Sequence, residues 1–389
     1  MEKHSRVCAH IDLDAVLFNA ESIYQNIDPN SKIMAVIKTD GYGHGAVEIA
    51  RELEHLDYIY GYGVATVEEG IILRKKGMRK PILILGYVFR EHYYDVVKYD
   101  IAPAVFTIDM ARDLSNAAIV ANKNCKIHLA VDTGMGRIGF DLVADKEKAF
   151  EEMKQLLELP NLRFTGLYSH FPAADSFDEF SVQYTEKQIE LFNEAYDYLT
   201  RYGFDFKIVH GQNSAGILRK LNGRFNAMRA GIILYGMCPS DSLAGGDLTP
   251  VMEIKTVVTH VKDIKKDQYV GYGLNFKAEM PMTVATVAIG YADGLPRFLK
   301  KKDYTMNING VDYPLIAVCM DQCMLDVTFG NVKIGDEVVA MGGTGAQNFD
   351  RIAKMTGTIN YEIPCGIQRR VPKVFMEDDK VVFVENNME

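Results

Sequence analysis

Lys38 is the residue whose place in the sequence points most directly to chemistry. It ends the apolar run 35–37 and is followed by a glycine-rich turn over residues 41–45. Burial at the end of an apolar strand disfavours the charged ammonium, so we expect a lowered pKa and an amine ready to form a Schiff base. Taken alone, the segment fits equally well a lysine that simply reaches the solvent at a strand end.

Other reactive residue types also follow apolar, strand-like runs. These residues are Asp132, Arg137, His170, Asn213 and Ser214, and Arg229 lies within the last such run. In a barrel of alternating strands and helices, the loops after the strands meet at one face, where the chemistry takes place. The pattern therefore predicts one reactive rim.

The elements that must position these residues alternate between strand-like and helix-like segments. Amphipathic stretches such as 67–76 and 144–158 separate short runs rich in β-branched and aromatic residues. The predicted strands are residues 32–37, 58–64, 82–85, 102–106, 126–131, 164–169, 206–210 and 227–234. Eight strands separated by helices predict an α/β fold with an N-terminal (β/α)8 TIM-like barrel, although a count of seven or nine units remains open.

The character of the chain changes after Gly236. Residues 237–250 are polar and rich in glycine and proline, as in a linker. Strand-like runs follow over residues 252–264, 282–294, 313–327 and 337–343, with one predicted helix at 346–356. We therefore expect a barrel domain over residues 1–240 and a mostly β C-terminal domain over 241–389, with residues 1–13 possibly pairing with the second domain.

Composition narrows the class of protein. Hydrophobic residues make up 48% and charged residues 24% of the chain, and the net charge is −9, which argues against nucleic-acid binding. The sequence has no apolar run of membrane-spanning length, and its first residues lead us to expect no signal peptide. The six cysteines lack zinc-ligand spacing, so no metal is expected, and free thiols predict a cytoplasmic protein.

Several motifs together resemble those of bacterial, pyridoxal-phosphate-dependent alanine racemases of fold type III. The match begins with the segment around Lys38 and continues in the family's order through most of the chain. The other motifs are VDTGMGRIG (131–139), GLYSHF (166–171), HGQNSAG (210–216), RAGIILYG (229–236), GYG (271–273), AIGYADGLPR (288–297), CMDQCMLDV (319–327) and INYEIPCGIQRRVP (359–372).

The resemblance implies that Lys38 carries pyridoxal 5'-phosphate and acts as one of two bases. Tyr272 is implied as the base on the opposite face, supported by His170. Arg229 is implied to face the pyridine nitrogen, where a permanently charged guanidinium keeps that nitrogen unprotonated and favours prompt reprotonation of the substrate.

Further roles follow from the same resemblance. Phosphate-binding positions are implied at Tyr42, Ser214, Gly231, Ile232 and Tyr361. Substrate-binding positions are implied at Arg137 and Met320, and an entrance corridor at Asp175, Tyr291 and Arg297. The resemblance also implies a homodimer in which Tyr272 and Met320 would reach the Lys38 of the other subunit.

The sequence departs from the pattern of many relatives in two places. Ala130 stands where they have a carbamylated lysine, so a bound anion or a rearranged neighbour is expected to orient Arg137 instead. Residues 39–41 read Thr-Asp-Gly where relatives often have Ala-Asn-Ala.

The expected reaction is the interconversion of L- and D-alanine, which supplies D-alanine for peptidoglycan. Tyr361 favours a tight pocket for alanine, but a serine or broad-specificity racemase remains an alternative because a pocket discriminates weakly against one hydroxyl. A basic amino-acid decarboxylase and a non-catalytic carrier of pyridoxal phosphate are the more distant alternatives.

Overall fold

The computed structural model describes residues 6–243, 247–386 and 388. The first five residues of the N-terminal segment 1–13, residues 244–246 of the linker, and residues 387 and 389 lie outside the described residues. The first elements within the described residues are strand β1 (Val7–Asp12) and helix α1 (Leu13–Gln25), whose first turn is capped by the carboxylate of Asp12.

Eight parallel strands form a nearly closed barrel. Strands β2 to β10 are Lys32–Val36, Ile59–Val64, Ile82–Ile84, Ala102–Val105, Cys125–Asp132, Phe140–Asp141, Leu162–Tyr168, Ile208–His210 and Ala227–Ala230. Their order is β10-β2-β3-β4-β5-β6-β8-β9, while the two-residue strand β7 pairs only with β6. Between β9 and β10 the Asn226 amide donates to the Val209 carbonyl. The predicted count of eight barrel strands is confirmed.

The barrel interior is filled by layers of side chains. One layer near the N-terminal ends of the strands contains Met34, Leu83 and Ala102. A layer nearer the C-terminal ends contains Ala104, Ala130 and Tyr168. The opposite faces of the strands are buried against the helices, which explains why these strands are almost continuously apolar in the sequence.

The helices between the strands agree with the predicted periodicity but differ at their ends. Helices α2 to α9 are Lys38–Tyr42, Ala46–Leu53, Val67–Lys75, Tyr93–Lys98, Ile108–Val120, Lys146–Gln155, Glu179–Arg201 and Ser214–Leu218. The prediction of one strand over 227–234 was wrong in its second half. The strand ends at Ala230, and Ile232–Tyr235 forms a 3-10 turn after Gly231 leaves the extended conformation (φ −106°, ψ −107°).

A second, mostly β unit follows. Strands β11 to β20 are Met252–Ile264, Tyr269–Val270, Phe276–Lys277, Met282–Val287, Thr305–Ile308, Val311–Val318, Cys323–Asp326, Glu337–Gly342, Lys373–Glu377 and Lys380–Glu385. Helices α10 (Phe349–Thr356) and α11 (Glu362–Cys365) lie late in this unit. The predicted helix at 346–356 therefore begins three residues later, where Asn348 accepts a hydrogen bond from the Arg351 amide.

The main sheet of this unit incorporates the N-terminal strand. Its order is β14-β17-β16-β15-β18-β11-β1-β19-β20, with β14 also pairing with β11. Strand β1 runs antiparallel to β11 and parallel to β19, so the chain starts in the second unit before it enters the barrel. No helix in the described ranges is long and apolar enough to cross a membrane.

Candidate active site

A cavity of about 410 Å³ lies at the C-terminal ends of the barrel strands. It brings together ten of the residues selected from the sequence: Lys38, Tyr42, Arg137, His170, Asn213, Ser214, Arg229, Gly231, Ile232 and Tyr361. Tyr168 and residues 85–87, which the sequence analysis did not select, also line the cavity. The predicted clustering at one end of the barrel is therefore present.

Lys38 lies two residues after the end of strand β2, at the wall of this cavity. Its pKa is lowered, first by burial and then by the cationic guanidinium of Arg137, while Glu69 opposes the shift. The direction agrees with the expectation from the sequence. A lysine that loses its proton more easily offers a nucleophilic amine at neutral pH.

Four of the five residues of α2 form a left-handed turn. Thr39, Asp40, Gly41 and Tyr42 all have φ between 52° and 63°, a conformation that costs L-residues about 1–2 kcal/mol each. Neighbouring groups hold the turn in place. Glu69 accepts from the Thr39 amide at 2.7 Å, and the Asp40 carboxylate accepts from the Ala46 amide at 2.9 Å.

A second contact ties this turn to the C-terminal unit. The ammonium of Lys373 lies 2.7 Å from the carboxylate of Asp40 and 3.0 Å from that of Glu385. A Cβ on Gly43 would overlap the carbonyl of Pro364, so the turn and α11 pack at backbone contact. The position of Lys38 is therefore fixed by both units of the chain.

Several hydrogen-bond donors lie close together in the wall of the cavity. The Gly231 amide donates to the Ser214 hydroxyl at 3.0 Å. A Cβ on Gly231 would lie 3.0 Å from the Tyr42 hydroxyl and 3.4 Å from the Ser214 hydroxyl, and the Tyr361 ring is 6.0 Å from that of Tyr42. Three hydroxyls around an open glycine backbone provide the donors that a phosphate group requires.

Arg229 is the most thoroughly bonded side chain in the site. It is 4% exposed and donates to the carbonyls of Ser169, His210 and Gly211 at 2.8 to 3.1 Å. Its Nη2 lies 3.1 Å from His170 Nδ1, and its Nη1 lies 2.8 Å from His210 Nδ1. Burial lowers the pKa of Arg229 to about 10, so the guanidinium stays charged at neutral pH.

The charge on Arg229 determines the protonation of its histidine neighbours. A guanidinium has no acceptor, so the Nδ1 atoms of His170 and His210 must both accept. Burial and Arg229 lower the pKa of His170 to about 3 and hold that of His210 well below its usual value. Each ring is therefore neutral and carries its proton on Nε2.

Arg137 follows a turn that is shaped by Asp132. The Asp132 carboxylate accepts from the amides of Gly134, Met135 and Gly136 at 2.8 to 3.2 Å, and this turn places the exposed Arg137 at the cavity.

Ala130, two residues before Asp132, is buried in the interior layer that also contains Ala104 and Tyr168. The Tyr168 hydroxyl donates to the Leu85 carbonyl at 3.3 Å. Burial raises the pKa of Tyr168 to about 12 although Arg229 and Arg137 act to lower it. An aromatic side chain thus lies in the layer at Ala130, where many relatives have a charged lysine derivative.

The remaining predicted residues lie outside the cavity of the single chain. Tyr272 begins a 3-10 turn between β12 and β13 and is 75% exposed, and Met320 is 52% exposed. Tyr291 and Arg297 are exposed on neighbouring 3-10 turns, and Asp175 is half-buried near Tyr361. The chain by itself does not bring Tyr272 to Lys38.

The sequence analysis missed two side chains that complete the site. His210 ends β9 and bonds Arg229, and its ring stacks on that of Tyr168 with centroids 5.0 Å apart. Both residues lie inside motifs that had been quoted, HGQNSAG and GLYSHF. Their position at the end of a barrel strand was the available signal, since such positions face the reactive end of the barrel.

Both units of the chain match models of known protein families. The family "Alanine racemase, N-terminal domain" matches residues 11–239, and "Alanine racemase, C-terminal domain" matches residues 251–375. The chain is 40% identical to the alanine racemase of Clostridium tetani, over 99% of this chain and 100% of that one.

Solved structures give the same result. The alanine racemase of Clostridium difficile superposes with a TM-score of 0.93 at 36% identity, covering 100% of both chains. The alanine racemase of Bacillus anthracis with bound L-Ala-P superposes with a TM-score of 0.90 at 33% identity, covering 100% of this chain and 99% of that one.

Proposed function

The chain belongs to the alanine racemase family, and we propose that it interconverts L- and D-alanine with Lys38 and Tyr272 as the two bases. The observation that carries the proposal is the cavity at the barrel rim, where a lysine of lowered pKa faces a buried arginine and a set of phosphate donors. The enzyme is an amino-acid isomerase that depends on pyridoxal 5'-phosphate.

The residues at the cavity fit this cofactor. Its phosphate would be held by the hydroxyls of Ser214, Tyr42 and Tyr361 and by the backbone at Gly231 and Ile232. Lys38 would bond to its carbonyl carbon, and Arg229 would contact its ring nitrogen. When bound, the cofactor withdraws electrons from the substrate and makes the α-proton acidic. The cavity of about 410 Å³ must admit both cofactor and amino acid, which favours a small substrate such as alanine.

Arg229 selects the reaction by its charge. The guanidinium keeps its protons at neutral pH and cannot accept one, so it presents only N–H donors towards the ring nitrogen. Arg229 would thereby keep that nitrogen unprotonated and limit electron withdrawal into the ring. This would favour prompt reprotonation of the substrate carbon over transamination and decarboxylation.

His170 prepares the second base. Because its Nδ1 accepts from Arg229, its Nε2 carries the proton and can donate to the oxygen of Tyr272. Such a bond stabilises the phenolate and would lower the pKa of a phenol that is otherwise a poor base. Lys38 and Tyr272 can then remove and return a proton on opposite faces of the substrate.

The assembly we propose is a homodimer with shared active sites. Tyr272, Leu274 and Met320 are exposed apolar residues, with 75%, 65% and 52% of each residue's surface accessible. Large apolar side chains that are exposed in a single chain are candidates for burial in an interface. In the dimer, Tyr272 would meet His170 and Lys38 of the other subunit, and the Met320 amide would contact the substrate carboxylate beside Arg137. Asp175, Tyr291 and Arg297 would line the entrance corridor.

Three broader proposals concern the division into domains, the location of the protein and the use of its product. The division into residues 1–240 and 241–389 is supported by the interval between Ala230, which ends the barrel, and Met252, which begins β11. A cytoplasmic location is supported by six cysteines without a disulfide. D-Alanine for peptidoglycan is the proposed use of the product.

The first test is a circular-dichroism time course of cofactor-loaded enzyme with L-alanine, L-serine and L-lysine in parallel. We expect rapid loss of signal with L-alanine, none with Lys38→Ala, and a strong reduction with Tyr272→Phe. Faster loss with serine or lysine would contradict the substrate and keep the class. No loss with any amino acid, with cofactor bound, would contradict the function.

A further inference from the structure

A second cavity, of about 210 Å³, lies at the N-terminal ends of the barrel strands, opposite the active site. Met34, Leu83 and Ala102 form its apolar wall. Its polar wall is formed by the side chains of Tyr60, Arg79, Asp100, Lys126, His128 and Thr165, and Lys207 also lines it. The racemase reaction uses none of these residues.

His128 connects this cavity to Arg229 through one intervening histidine. His128 Nδ1 lies 2.9 Å from His210 Nε2, and His210 Nδ1 lies 2.8 Å from Arg229 Nη1. Arg229 can only donate, so His210 accepts on Nδ1 and carries its proton on Nε2. That proton is donated to His128 Nδ1. Neutral His128 must then carry its own proton on Nε2, the ring nitrogen not engaged with His210.

The buried ring of His128 is built into this position. It is 2% exposed, and a Cβ on Gly166 would overlap the ring, so the glycine makes room for it. Burial, followed by the charge of Arg229, lowers the pKa of His128 to about 3. His128 is therefore neutral at neutral pH, and its ring, with the proton on Nε2, lines the cavity.

The charges at the cavity favour a negative ligand. Asp100 is neutralised by Lys126 at 2.8 Å. Arg79 and Lys207 are the other two cationic side chains that line the cavity, and both are exposed. The Thr165 hydroxyl donates to the Ile127 carbonyl at 3.1 Å. A buried ring N–H and two cationic side chains that line one cavity are a combination suited to binding an anion oxygen.

We propose that this second cavity binds one small inorganic oxyanion of the phosphate type, held by His128 Nε2–H, Arg79 and Lys207. A volume of about 210 Å³ admits such an ion with water and is below the size of ordinary organic-ligand pockets, about 300–1,000 Å³. The bound anion would polarise the chain through His210 and strengthen the hold of that ring on Arg229. The binding itself does not rest on the proposed racemase activity.

The test is equilibrium dialysis of the cofactor-loaded enzyme with radiolabelled inorganic phosphate, at ionic strength kept constant with chloride. Loaded enzyme is used because its cofactor occupies the phosphate donors at Ser214. We expect one saturable phosphate per chain. The affinity should fall about tenfold or more in the double variant Arg79→Gln/Lys207→Gln. The matched control Arg201→Gln/Lys262→Gln, which removes two exposed cations elsewhere, should bind as the wild type does.

Two further arms locate the ion. Saturating alanine should leave phosphate binding unchanged, because the second cavity lies at the end of the barrel opposite the active site. His128→Leu should weaken binding, and the double variant Arg79→Gln/Lys207→Gln provides the test if this buried substitution impairs folding. No saturable binding, displacement by alanine, or an equal loss in the control variant would each overturn the proposal.

Discussion

Arg229 Nη2 lies 3.1 Å from Nδ1 of His170, and this contact fixes where the histidine carries its proton. A guanidinium cannot accept a hydrogen bond, so the Nδ1 of His170 is the acceptor and its Nε2 is the donor. In the proposed function, the same arginine would face the cofactor, and it sets the donor that we assign to Tyr272.

Replacing His170 tests this assignment. We expect His170→Phe to lower kcat about 100-fold, because Tyr272 loses the donor that stabilises its phenolate. His170→Asn, which can still accept and donate, should recover part of the loss. The equilibrium constant between enantiomers is one, so kcat/KM must fall equally in both directions. The informative measurement is the primary deuterium isotope effect, which should rise for one enantiomer of α-deuterated alanine only. A rise for both would contradict a role confined to one base.

The shared active site can be tested by mixing two inactive variants. Lys38→Ala retains Tyr272, and Tyr272→Phe retains Lys38. If each site combines Lys38 of one subunit with Tyr272 of the other, a mixed dimer contains one intact site. Random reassociation of equal amounts should then restore about a quarter of the wild-type activity. A mixture of Lys38→Ala with the double variant Lys38→Ala/Tyr272→Phe is the matched control and should stay inactive. No recovery in the first mixture would contradict the shared site.

Asp40 should stabilise the left-handed turn that presents Lys38. We expect Asp40→Asn to keep the bond from the Ala46 amide and lose the ion pair with Lys373, which lowers the free energy of unfolding by about 0.5–1 kcal/mol. Asp40→Ala loses both contacts and should cost about 1–3 kcal/mol. Urea unfolding measures the difference, and cofactor retention during dialysis should fall in the same order. Asp109→Asn, at a carboxylate 80% exposed beside Arg112, is the control and should change little. Equal effects at all three would refute the role.

The buried histidines should make the protein sensitive to mild acid. Burial lowers the pKa of His128 and His170 to about 3, against about 6.5 in the unfolded chain. The unfolded state therefore takes up protons first as the pH falls, and stability is lost between about pH 6.5 and pH 3. Each histidine contributes a slope of about 1.4 kcal/mol per pH unit within this window.

Urea unfolding of His128→Gln at several pH values measures one of these slopes. The slope of unfolding free energy against pH should be smaller than in the wild type by about one histidine's share. His260→Gln removes an exposed histidine and should leave the slope unchanged. If His128→Gln and the wild type show the same slope, His128 is not buried in its neutral form.

The sequence by itself determined the fold class, the family and most of the residues at the cavity. Apolar runs mark the barrel strands in the sequence, because parallel barrel strands are apolar on both faces, but the structure was needed to fix their number at eight. Residues that follow such strands must meet at one end, so Lys38, His170 and Ser214 could be grouped without coordinates. The end of the strand at Ala230 was misjudged because Ile232 to Tyr235 are apolar and buried in a 3-10 turn, and hydrophobicity alone does not distinguish the two.

Only the tertiary structure decided how these side chains act on one another. Arg229, His210 and His128 come from three different strands, and their hydrogen bonds depend on the inward direction of each side chain and on the space that Gly166 leaves. Proton positions follow from those contacts, since a donor-only group forces its neighbours to accept. The link between Asp40 and Lys373 joins residues 333 positions apart, a separation at which no local pattern carries information.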